Sequence, residues 1–381
     1  MNIDLKRSIA REFSEKFKED SILIFSPGRI NIIGEHTDYN DGFVLPGAID
    51  KGIISAMSKS SNIKSVAVAS DLNETFEFDL KNIQPLSNGN WRNYILGVVG
   101  EIQKIGKYIG NFNIVFGGDI PNGSGMSSSA ALENSVVFGL NDLFDLGLTK
   151  TEMIYISQKA EHNYVGVNCG IMDQYASMFG QKNHLLFLDC RNVEASQYFV
   201  DLKEYELILI NTNVKHSLSD SAYNDRRAVC ERTAALLGKK ALRDVSEYEL
   251  KQIRDQLSET DYQKALYVIQ EIARTKLSVV ALLNNDIKTL GKLIYDSHYG
   301  LQHQYKVSCQ ELDFLVDQSK QFKQVLGARM MGGGFGGCTI NLIHKSAISN
   351  FIEDIKDAYL NKFNNHCSVY HVKLSNGTSK I

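Results

Sequence analysis

The order strand, glycine-serine loop, helix between residues 112 and 140 constrains this chain more than any other feature. An apolar β-prone run at 112–116 leads into residues 117–131 (GGDIPNGSGMSSSAA), and 132–140 then reads as a helix. Gly123 and Gly125 let backbone N–H groups turn inward without Cβ clashes. The helix start adds free donors and the positive end of its dipole, and Ser127, Ser128 and Ser129 add hydroxyls, which together suit a phosphate group. The lysine of the GxxxxGK[ST] loop is missing, so the fold that accompanies that motif is disfavoured. Composition alone equally fits a flexible linker feeding an N-capped helix, although the loop is short and tightly flanked by apolar structure. By itself the segment leaves both readings open.

A second concentration of polar groups lies upstream. Residues 28–41 (GRINIIGEHTDYND) crowd ionisable side chains between a predicted strand and the Asp41-Gly42 turn, which is unusual for a core strand. Glu35 and Asp38 can accept from neighbouring hydroxyls and His36 can donate or accept, a set that suits the several hydroxyls of one sugar ring. Arg29 keeps its proton and can offset charge growing on a transferring phosphoryl group. A solvated hairpin whose charges face water fits the same residues.

At ~150 residues per domain, the 381-residue length predicts two domains. Lys+Arg 41 against Asp+Glu 44 leaves a net charge of −3, so no general field draws in nucleic acid or an acidic membrane, and an anionic ligand must be held locally. The opening MNIDLKRSIAREFSEKF breaks every apolar run with a charge, giving neither a signal-peptide core nor a membrane span and predicting a cytoplasmic protein. Cysteines at 169, 190, 230, 309, 338 and 367 are too far apart for CxxC metal clusters or a small disulfide framework and read as reduced thiols.

All four prolines (Pro27, Pro46, Pro85, Pro121) lie in the first third, where short apolar runs at 22–25, 66–69 and 112–116 alternate with turns. Later, Ala265, Leu266, Ile269, Ile272, Ala273, Lys276 and Val280 predict a long helix with one buried stripe, and Ser246 with Glu249 is a candidate capping box for the helix before it. The chain closes with a glycine-rich loop, a β-branched run at 339–343, a helix at 347–363 and a strand near 368–372. That order predicts a small α+β second domain, with the change of domain near residues 180–205.

Residues 28–46 (GRINIIGEHTDYNDGFVLP) resemble the galactokinase signature nearly letter for letter, and 121–131 (PNGSGMSSSAA) resemble the second motif of the GHMP kinase superfamily. Residues 331–338 (MGGGFGGC) resemble its C-terminal glycine-rich loop, and 160–174 (AEHNYVGVNCGIMDQ) resemble the galactokinase segment that carries the proposed base. The resemblance implies an α+β, two-domain GHMP kinase fold: a ribosomal S5 domain 2-like N-terminal domain over 1–200 and a ferredoxin-like C-terminal domain over 201–381. It implies transfer of the γ-phosphoryl of ATP to the C1 hydroxyl of α-D-galactose, the first committed step of galactose breakdown.

On the matching positions, Asp173 takes or orients the hydroxyl proton, with a plain helix-start cap as its bland alternative. Arg29 keeps Asp173 ionised and stabilises the transition state, unless it is a structural ion pair only. Glu35, His36, Thr37, Asp38 and Tyr223 contact galactose, Tyr223 being alternatively a packing aromatic. Gly123, Ser124, Gly125, Met126, Ser127, Ser128 and Ser129 hold ATP, and Ser129 with Glu161 binds Mg2+. Glu161 falls near the end of a helix opened by the candidate box Thr149 and Glu152, with Met153, Ile156 and Ala160 on its buried side; a solvated helix-end glutamate is the alternative. Residues 332–337 form a tight loop near nucleotide or sugar.

The expected partners are galactose and ATP, with no nucleic acid and no membrane, for a monomer or weak oligomer. Met126 stands where the motif more often has leucine, and Gln302-His303 where a family segment often carries Arg-Asp. Two other readings share the fold. One is a related kinase for N-acetylgalactosamine or arabinose. The other is a regulator that binds sugar and ATP without useful catalysis; those resemble a kinase lacking the Ser-Ala pair that Ser129-Ala130 supplies here.

Overall fold

The computed structural model describes residues 1–215 and 219–381. Ile22–Asn31 pairs antiparallel with Pro46–Lys59, and Phe112–Gly118, Ser65–Ala69 and Glu74–Phe78 extend the sheet outward from Pro46–Lys59. Alternation sets its two faces. Val115, Ile54 and Phe25 meet Ile9 and Phe13 of helix Ile3–Phe17, whereas Ile114 and Met57 pack with Val136 and Leu140 of helix Ser128–Phe144. The apolar runs at 22–25, 66–69 and 112–116 all lie in strands of this sheet. The chain returns to it at the end, where Ser379 pairs with Phe25 and Lys380 with Ile24.

A second sheet joins Val325–Met330, Gly336–His344, Tyr205–Lys215 and Ser368–His371, all antiparallel. Counted along the chain its strands lie in the order 2-3-1-4, with helices inserted between the first and second and between the third and fourth, which is the ferredoxin-like split βαβ arrangement. Helix Ile348–Phe363 covers it through Phe351, Ile355 and Tyr359 against Ile208 and Ile210. Among the described residues no helix is long and apolar enough to cross a membrane.

Both capping boxes form, Thr149 with Glu152 and Ser246 with Glu249. The long helix spans Glu259–Leu283, but its buried stripe is rotated from the expected one. Ala265 and Ile272 are buried, while Ala273, Lys276 and Val280 are exposed, and the inward face instead carries Tyr267, Glu271, Thr275 and Ser278. The cause is polar: Glu271 accepts from the Gly34 N–H at 3.0 Å and from the Ser297 hydroxyl at 2.6 Å, so this helix turns a carboxylate toward the residue 34 turn.

Candidate active site

Two glycine loops meet between the sheets. The loop before helix Ser128–Phe144 holds Gly123 and Gly125 at φ 68 and 73, and Ser127 at φ 61, in the left-handed region. It lies against Gly332, where an added Cβ would sit 3.2 Å from the Gly125 carbonyl oxygen. On its other side a Cβ at Gly28 would come within 2.6 Å of the Met126 carbonyl oxygen, which accepts from the Arg29 N–H at 3.0 Å. Glycine at 28 thus lets the strand carrying Arg29 touch the loop expected to hold phosphate. Ser124 and Met126 are buried, while Ser128 is exposed at the helix tip.

Arg29 follows a register shift in its strand and is 4% exposed. Its Nε and Nη2 donate to the two carboxylate oxygens of Asp173 at 2.8 Å each, and Nη1 donates to the Gly125 carbonyl. Burial works against the charge on Arg29, but Asp173, Glu35 and Asp38 outweigh it and hold its pKa above the ordinary value. Asp173 lies in the first turn of helix Met172–Phe179, bound to Arg29 side by side, and its side chain remains 28% exposed toward the cavity. This bidentate geometry fixes the carboxylate's plane.

A cavity of about 130 Å³ opens beside this pair, lined by Arg29, Asp173, Glu35, His36, Asp38, Tyr223, Glu161, Gly332 and Gly333 among others. Glu35 is 2% exposed and accepts at Oε1 from Arg329 at 3.0 Å and from the Gly332 N–H at 2.8 Å. Burial would raise its pKa, but Arg329 and Arg29 dominate and hold it below the usual carboxylate range. The solvated hairpin is therefore excluded: residues 28–37 are buried. The Thr37 hydroxyl lies 2.9 and 2.7 Å from the Gly34 and Phe43 carbonyls, which share its one proton, so this side chain closes the turn beside the expected sugar contacts.

Asp38 faces Asp173 across the cavity, and a Cβ at Gly170 would run into its carboxyl. Burial, followed by the like charge of Asp173, pushes Asp38 up to about 7, against the N–H groups of Tyr39 and Met172. An unfolded carboxyl loses its proton near pH ~4, so between there and about 7 the folded chain binds more protons and its stability falls as pH rises. Asp38→Asn removes that penalty. We expect the melting temperature of the variant minus that of the parent to be larger at about pH 8 than at about pH 5; a difference that does not change with pH contradicts the environment described for Asp38.

Glu161 closes helix Lys150–Ala160, begins a π-turn and is 7% exposed in the same cavity. Ser129 lines a neighbouring cleft of about 400 Å³ with Trp91, Tyr94, Phe116 and Asn122. Glu133, one turn beyond Ser129 on the same helix face, is pushed well above the carboxylate range by burial and by Glu161, so Glu161 reaches toward that face. A serine hydroxyl and a carboxylate are hard oxygen donors that suit magnesium. Among the described residues no group of three or more His, Cys, Asp or Glu could hold a metal, so a magnesium ion here would draw most of its shell from phosphate and water.

The structure therefore gathers Arg29, Asp173, Glu35, His36, Asp38, Tyr223 and Glu161 around one cavity and leaves Ser129 at the next. Sequence reasoning passed over Arg329, for which an arginine inside the apolar strand Val325–Met330, just before a glycine loop, was the available signal.

Family profiles match residues 11–59 (galactokinase galactose-binding signature), 93–181 (GHMP kinases N terminal domain) and 278–361 (GHMP kinases C terminal). The galactokinase of Thermotoga neapolitana is 41% identical over 356 residues, 93% of this chain and 99% of the relative. That of Clostridium acetobutylicum is 38% identical over 388 residues, covering 100% of both. The crystal structure of Lactococcus lactis galactokinase complexed with galactose superposes with a TM-score of 0.93 at 34% identity, covering 98% of each chain. Methanococcus jannaschii mevalonate kinase, at 17% identity and a TM-score of 0.65, shares the fold. With likeness of this order along the whole of both partners, the chain belongs to the galactokinase family of the GHMP kinases.

Proposed function

We propose that this chain transfers the γ-phosphoryl of ATP to the C1 hydroxyl of α-D-galactose, giving galactose 1-phosphate and ADP. The observation that carries the reading is the two-point Arg29–Asp173 pair set in the wall of a small polar cavity that also holds Glu35, His36, Asp38 and Tyr223. Those four supply acceptors and donors for the sugar hydroxyls and present C1 to Asp173. Asp173 receives or orients the C1 proton as the oxygen attacks phosphorus, and Arg29 fixes the plane of that carboxylate and offsets charge on the transferring group. Backbone N–H groups of the loop over residues 123–129 and the tip of helix Ser128–Phe144 hold the phosphates, with the bound nucleotide reaching into the cleft beside Trp91 and Tyr94. Magnesium held by Ser129 and Glu161 would neutralise phosphate charge. Six free thiols favour a reducing compartment such as the cytoplasm.

The test is ADP release from Mg·ATP with galactose, N-acetylgalactosamine, arabinose and glucose, repeated with Glu161→Ala over a magnesium series. We expect galactose to be preferred and the variant to need more magnesium. Preference for another sugar overturns the substrate, absence of turnover supports a regulator, and an unchanged magnesium series removes Glu161 as a ligand.

A further inference from the structure

A file of side-chain hydroxyls runs behind the sugar cavity, and the transfer reaction as described uses none of it. The His36 Nδ1 lies 2.8 Å from the Tyr39 hydroxyl, which lies 2.7 Å from the Tyr305 hydroxyl, which lies 3.4 Å from the Cys230 sulfur. The His36 ring is 3% exposed and packed against the rings of Tyr223 and Tyr305 at 5.3 and 5.0 Å. Its backbone sits at φ 62, in the left-handed region that histidine tolerates better than most residues, in the turn that brings the ring to the cavity wall. At the far side of the ring, Nε2 is buried and has no hydrogen-bond partner among the described residues. A buried polar atom left that way is costly unless a ligand supplies the partner.

We propose that Tyr39 and Tyr305 are positioning residues whose hydroxyls donate in sequence toward His36 Nδ1, fixing the ring proton on Nε2 and making that nitrogen a hydrogen-bond donor to one hydroxyl of the bound sugar. The sugar half of this inference rests on the galactose reading above. Three observations set the direction. Burial pushes His36 down to about 4, so across the neutral range its ring carries one proton and one lone pair. A phenol O–H is a good donor to an imidazole lone pair, and the Cys230 thiol at the end of the file is a weak partner in either sense, so the bond to Nδ1 decides the order. The Gly333 carbonyl is an acceptor near the ring, too poorly placed to satisfy Nε2, and it favours a proton on the imidazole. Tyr305 is anchored independently of its hydroxyl, since its carbonyl accepts from Arg226 Nε at 2.9 Å. Loss of the hydroxyl alone therefore leaves the ring in place.

The decisive measurement is the imidazole ¹⁵N–¹H spectrum of the histidine-labelled full chain without sugar, with His36 identified by the signal that His36→Gln removes. We expect the parent to show one neutral tautomer protonated on Nε2, Tyr39→Phe to show loss of that preference, and Tyr305→Phe a smaller change in the same sense. With galactose, KM should rise about tenfold in Tyr39→Phe, while kcat and the KM for ATP stay within about twofold. A proton on Nδ1 in the parent overturns the proposal, as does a Tyr39→Phe spectrum identical to the parent's. A matching fall in kcat and in thermal stability would assign Tyr39 a structural role and also overturn it. Because the spectrum needs no sugar, a failed galactose assay beside the expected spectrum counts against the substrate and leaves the tautomer standing.

Discussion

Asp173→Asn lowers turnover by about 10²–10⁴-fold in a chain that remains folded, the range that loss of a well-placed general base produces. Asparagine keeps the shape and one acceptor for Arg29, so one of the two contacts at 2.8 Å survives, and at the other the amide NH2 faces a guanidinium N–H and must move away slightly. What disappears is the negative charge that draws the sugar proton. Arg29 retains the Gly125 carbonyl and the charges of Glu35 and Asp38, so its position survives the change. Steady-state ADP release together with a thermal melt checks both halves. Near-parental turnover in a folded variant removes Asp173 from the reaction.

Arg329→Leu costs about 3–5 kcal/mol of stability, because removing one partner of a buried ion pair strands the other in a low-dielectric interior. Arg329 is fully buried on strand Val325–Met330. Its Nε donates to the Ile32 carbonyl at 2.8 Å, its Nη1 to the Met330 carbonyl at 2.6 Å, and its Nη2 to Glu35 at 3.0 Å and to the Asn31 carbonyl. One guanidinium therefore ties the second sheet to the end of strand Ile22–Asn31 and holds a carboxylate of the sugar cavity in its charged form. Denaturant unfolding measures the loss. Adding Glu35→Gln to the variant should recover part of it, since no stranded charge is left, and a single-variant loss below about 1 kcal/mol contradicts the clamp.

Local pattern made much of the architecture legible. The apolar run at 112–116, the glycines at 123 and 125 and the capping boxes each act through backbone geometry within a few residues, and each stands where spacing put it. The buried stripe of Glu259–Leu283 did not follow hydrophobicity, because Glu271, Thr275 and Ser278 turn inward to meet partners such as the Gly34 N–H, more than two hundred residues away. Resemblance implies Thr37 as a sugar contact, and its hydroxyl is also engaged by two carbonyls that become neighbours only when the turn closes. Arg329, Tyr39 and Tyr305 escaped for the same reason: the hydrogen-bond partner of each is brought to it by the fold.

The central claim is that the anomeric oxygen meets phosphorus between the side chains at 29 and 173. Crystals holding galactose and a non-hydrolysable ATP analogue test it directly. The C1 oxygen is expected at about 2.6–3.2 Å from an Asp173 carboxylate oxygen, with the terminal phosphoryl group on the Arg29 side. A sugar bound with C1 turned away from both residues contradicts it.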